Sequence, residues 1–85
     1  MKSEAIEKYL HQKVVVYFKD DTIDIGYLYK EEDFPKDPNK LRDGGYVLKG
    51  VETPPYYDSH FRKSHIKKIK PFYVYLDWLL KKSLV

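Results

Sequence analysis

At 85 residues the chain has room for one domain with a thin core, and having no cysteine it can thicken that core with neither a disulfide framework nor a thiolate zinc site. Sixteen Lys and Arg against thirteen Asp and Glu leave a net charge of +3, a mild excess that permits an acidic partner without requiring one. The opening MKSEAIEKYL puts an acidic residue where a signal peptide needs an apolar core, and no apolar run approaches the ~18 residues that cross a bilayer, so the expectation is a soluble cytoplasmic domain, not membrane-associated, that gains buried area as a homo-oligomer.

Residues Ser3 to His11 read as a short helix with Ser3 as N-cap and Ile6, Tyr9 and Leu10 on one apolar face. Lys13 to Lys19 is a β-branched and aromatic run of strand length. Asp20-Asp21 then supplies turn residues before a second run, Thr22 to Lys30, in which Ile23, Ile25, Tyr27 and Tyr29 alternate with their neighbours. The two runs form a hairpin, and Gly26 in the second marks a bend that lets one long strand serve two neighbours. Glu31 to Gly44 holds Pro35, Pro38 and much charge, a long loop for so small a domain and therefore a place where function can reside.

A third strand follows at Gly45 to Val51, closed off by Pro54-Pro55. Tyr56 to Phe61 is a weak fourth strand, Arg62 to Ser64 a tight turn and His65 to Lys70 a last strand. Pro71 is expected to break the sheet. Beyond it, two readings stand: a helix with Pro71 at its first position, or a strand through Tyr75 followed by a helix; the helix is preferred. Its apolar residues run nearly all the way round, Leu84 and Val85 included, and Phe72, Tyr73, Leu76, Trp78, Leu79 and Leu80 are the candidate subunit or partner interface.

Catalytic and metal chemistry finds little support. Gly44-Gly45 precedes a strand rather than a helix, so it is a turn and not a phosphate loop. His60 and His65 with Asp58 lack a third ligand of fixed geometry for zinc, His11 has no motif around it, and Asp20, Asp21 and Asp24 lack the spacing of a calcium loop. Ser59 or Ser64 beside a histidine is adjacency, not a triad. No enzyme activity, cofactor or metal is expected. The strongest functional signal is basic: Arg62, Lys63, Lys67, Lys68 and Lys70 within nine residues, interleaved with His65 and close to Tyr56 and Tyr57, suit phosphates and stacked bases, with a solvated strand end as the competing reading. Among the nine tyrosines, Tyr9, Tyr17, Tyr27, Tyr29 and Tyr46 are assigned to the core and its rim.

Two stretches resemble the Sm-like family (the LSm and Hfq type) of SH3-like barrels. Val14 to Asp33, with apolar Val14 to Val16, the Asp20-Asp21 turn, Gly26, Leu28 and acidic Asp33, resembles the first Sm motif. Phe61-Arg62-Lys63-Ser64-His65-Ile66-Lys67-Lys68-Ile69 resembles the second. Asp33 and Asn39 are the nearest candidates for the family's base-contacting Asp and Asn. The basic ending is also similar to that of small phage and mobile-element proteins of Gram-positive bacteria. The resemblance implies a mainly β single domain over residues 1–85: a five-stranded SH3-like or Sm-like barrel at 13–70, a short N-terminal helix at 3–11 and a C-terminal interface segment at 71–85. The expected function is a non-enzymatic, oligomeric binding or inhibitor protein of phage type, with RNA, a nucleotide ligand or a host protein as the candidate partners. The alternatives are RNA binding at the Arg62 turn, or sequestration of an anionic nucleotide between subunits.

Overall fold

The computed structural model describes residues 1–41 and 44–83. Strand β1 (Lys13–Phe18) and strand β2 (Ile23–Lys30) are the two β-branched and aromatic runs. The turn between them is set by Asp20, whose Oδ1 accepts the backbone N–H of Thr22 at 3.0 Å and its hydroxyl at 2.6 Å, with Asp21 at φ 68°. Strands β3 (Tyr46–Lys49), β4 (Ser59–Phe61) and β5 (Ile66–Pro71) complete one antiparallel sheet in the order β4-β3-β2-β1-β5. With helices α1 (Ser3–Glu7) and α2 (Phe72–Ser83), the described residues form a small, mainly β structure with a five-stranded sheet and two short helices.

β2 changes partners midway. Ile23 to Tyr27 pair with β1, and Tyr27 to Lys30 pair with β3. The changeover needs Gly26, where a Cβ would stand 2.8 Å from the Lys49 carbonyl oxygen and 3.3 Å from the Leu48 Cβ. From there the sheet curls. Phe18, at the end of β1, meets Phe61 of β4 edge-on at 5.1 Å, and Asp24 of β2 accepts the Ser59 hydroxyl of β4 at 2.6 Å. The concave side encloses Ile6, Val14, Val16, Leu28, Tyr46, Leu48, Phe61, Ile66 and Ile69, each fully buried aliphatic side chain contributing about 1.5–3 kcal/mol.

Several boundaries differ from the sequence expectation. The first helix stops at Glu7 rather than reaching His11, because the His11 N–H donates to the Leu28 carbonyl at 2.7 Å and the Leu28 N–H returns a bond to Gln12. Sheet pairing thus captures the segment before another helical turn can form. Ser3 lies inside that helix and is not its cap; the capping position is Lys2, with no side-chain cap bond. Pro71 does not break the sheet, since it is the last residue of β5, opposite Val14 on an edge strand where a missing N–H is tolerated. The expected turn at Arg62 to Ser64 is a 3-10 turn over Lys63–His65, and the weak fourth strand narrows to Ser59–Phe61. The residues after Pro71 are helical from Phe72 on. Of the five tyrosines assigned to the core and rim, Tyr46 is buried, Tyr9, Tyr17 and Tyr29 are half-buried, and Tyr27 is exposed. Arg42 and Asp43 of the long loop, and the apolar Leu84 and Val85, lie outside the described residues.

Candidate functional site

The basic segment is distributed rather than gathered. Arg62 and Lys63, at the β4–β5 connection, line a cavity of about 450 Å³ together with Ser3 and Glu7 of α1, Lys30 at the end of β2, Glu32, Tyr46 and Ser64. Its charges are organised: the Lys30 ammonium lies 2.6 Å from Glu7 Oε1 and 3.5 Å from Glu32, and the Tyr46 hydroxyl donates to Glu7 Oε2 at 3.3 Å. The hydrogen bond from Lys30 holds the Glu7 carboxyl below its usual range, and Glu7 in return raises Lys30. Burial pushes the Tyr46 phenol up.

The other predicted residues go elsewhere. His65 borders a second cavity, about 470 Å³, with Phe18, Lys19, Asp20, Thr22, Ser59, His60 and Phe61. Lys67 reaches the β1–β2 turn, 3.6 Å from Asp21. Lys68 sits 4.6 Å above the Tyr17 ring, with Lys70 at 5.7 Å, so that face of β1 and β5 is a cation-on-aromatic surface. Tyr56 and Tyr57 are exposed on the segment between β3 and β4 and border neither cavity. Asp33 and Asn39 are both exposed.

The candidate interface residues do share one element. α2 packs against β1 and β5, with Phe72 half-buried under the Lys13 ammonium at 4.0 Å. None of its twelve residues is buried. Trp78 is 50% exposed and Tyr73 73%, and Leu76, Leu79 and Leu80 are also in water, broken only by an Asp77–Lys81 ion pair at 3.0 Å and the flanking Lys82. The chain is accordingly elongated, 46 Å by 26 Å by 24 Å. No helix among the described residues is long and apolar enough to cross a membrane.

A third cluster was not anticipated. Glu31, immediately after β2, is 1% exposed, and its Oε2 lies 2.5 Å from His60 Nδ1 on β4. The Leu41 N–H donates to both Glu31 oxygens, at 3.2 and 3.1 Å. His60 Nε2 faces Asp37 Oδ2 at 3.4 Å. The two carboxylates stand at opposite nitrogens of one ring and cannot converge on an ion. Among the described residues no group of three His, Cys, Asp or Glu could hold a metal. Asp58, the other acid weighed for His60, pairs instead with Lys49 at 2.8 Å, and the Ser59 hydroxyl is committed to Asp24. In the sequence, the one clue to this cluster was a histidine in a short strand beside an acid-rich loop.

No protein-family model, curated protein or solved structure matches this chain.

Proposed function

We propose that this is a non-enzymatic binding or inhibitor protein of SH3-like, Sm-like architecture that works as a homo-oligomer, in the phage or mobile-element setting its basic ending resembles. The observation that carries the reading is α2, whose twelve residues are all at least partly in water although most are large and apolar. Large apolar side chains left in water along one helix mark a surface that a second copy would cover. The strand order, the partner change at Gly26 and the 3-10 turn before β5 support the Sm-like reading. Multi-angle light scattering tests the assembly. The full chain should run at a multiple of 10.2 kDa and the double variant Leu76→Glu, Trp78→Glu at a lower mass; a wild type of 10.2 kDa at every concentration overturns it.

A second reading rests on a different observation, the meeting of Arg62 and Lys63 with the Ser3 and Ser64 hydroxyls on one cavity, where Lys30 is paired with Glu7 and Glu32. It is a site for phosphate, of single-stranded RNA or of an anionic nucleotide. Titration with a mixed RNA pool and with cyclic and linear nucleotides, at two salt concentrations, should show binding that falls steeply with salt. Arg62→Ala should cost about 1–3 kcal/mol of it while Lys40→Ala costs little. No binding by the wild type at low salt ends this reading and leaves the first intact.

A further inference from the structure

Glu31, His60 and Asp37 form a line of carboxylate, imidazole and carboxylate drawn from three stretches of the chain. His60 Nδ1 is 2.5 Å from Glu31, while Nε2 is buried, 3.4 Å from Asp37, and makes no hydrogen bond. A neutral imidazole has one N–H, so it can donate to one neighbour and must turn a lone pair on the other; only the doubly protonated ring donates to both. Charged groups stand on both sides of the ring. Glu31 faces the ring from the 3-10 turn after β2 and Asp37 from the loop; one layer out, Asp58 and Lys49 pair with each other, Lys49 lying 3.9 Å from Asp37; and Asp20, Lys19 and His65 border the cavity that His60 shares. Three acids and one lysine thus stand nearest the ring.

The line also ties down a segment. Glu31 takes the Leu41 N–H, Phe34 packs edge-on against Tyr29 at 5.5 Å with Lys49 4.4 Å from its ring, and Asp37 closes a turn within the segment by taking the Asn39 N–H at 2.9 Å. Tyr29, Val47 and His60 are register neighbours on β2, β3 and β4 and share one face of the sheet, where Val47 is fully buried. The segment from Phe34 to Leu41 is therefore the cover of a second, smaller apolar face.

We propose that His60 is a proton-operated latch for this cover. Protonated on both nitrogens, the ring bridges Glu31 and Asp37 and seats Phe34 to Leu41 on the sheet. When one proton leaves, the Asp37 contact becomes a lone pair against a carboxylate, the segment lifts, and Tyr29, Phe34 and Val47 are uncovered. The latch holds at lower pH and opens as pH rises through the titration of His60, and it is independent of both functional readings above.

Hydrogen exchange of the full chain, corrected for intrinsic rate, tests it alongside NMR titration of the His60 ring over roughly pH 5 to 8. Protection of residues 34–41 should fall about tenfold or more at the midpoint of the His60 ring, with β1 and β2 unchanged. His60→Gln should abolish the step. Asp37→Asn, which keeps the Glu31 contact and has an amide N–H that can donate to the neutral ring, should abolish it as well; this variant decides the matter if His60→Gln does not fold. Protection that stays flat, a midpoint different from that of the ring, or a step that survives in His60→Gln or in Asp37→Asn overturns the latch.

Discussion

His60 Nδ1 lies 2.5 Å from Glu31 Oε2, joining residues 29 positions apart at a place where the carboxylate is 1% exposed. A buried pair of this kind contributes little over an apolar pair of the same shape, but removing one member strands the other. His60→Ala should therefore lower stability by about 3 kcal/mol in urea unfolding, whereas the double replacement Glu31→Met, His60→Leu should recover most of that loss. A double-variant loss equal to the sum of the separate Glu31→Met and His60→Leu losses would show that the pair is not coupled.

Gly26 faces the β3 backbone closely enough that a Cβ would meet Lys49 O at 2.8 Å. Gly26→Val should cost about 1–3 kcal/mol, seen as a Tm lower by about 5 °C or more. An unchanged Tm would mean that β3 can retreat freely, and that the partner change in β2 does not depend on glycine.

Glu7 and Lys30 set a pH dependence whose sign follows from their shifts. Lys30 depresses the Glu7 carboxyl in the folded chain, so Glu7 contributes stability above the ordinary glutamate range and loses it as pH falls through its folded value. Lys30, raised by Glu7, loses its contribution only as pH rises past the ordinary lysine range. Urea unfolding of wild type and Glu7→Gln should differ near neutral pH and converge in acid. A difference that is constant with pH would contradict the pairing.

The sheet was legible because its signals are local: β-branched runs, an Asp-Asp turn, and a glycine where β2 changes partners. The helix after Pro71 was legible for the same reason, and so was its unburied apolar surface. What could not be read was which side chains the curl of the sheet brings together. Arg62 and Lys68 are six positions apart in one basic run, yet one lines the cavity at α1 and the other lies on the Tyr17 ring. Glu31 looked like one acid among several in a solvated loop, and only the arrival of β4 beside β3 turns it into a buried partner for His60. The early end of α1 was hidden too, because it is decided by Leu28, seventeen residues beyond His11.

Trp78 is the single tryptophan of the chain and stands half-exposed on α2, stacked against Tyr75 at 6.1 Å. Its emission therefore reports whether a second copy covers the helix. The purified chain, diluted from high micromolar to low nanomolar concentration, should pass from a blue-shifted emission resistant to acrylamide quenching to a water-exposed one, with Leu76→Glu showing the exposed emission throughout. A wild-type spectrum that is water-exposed and equally quenchable at every concentration would contradict assembly through α2.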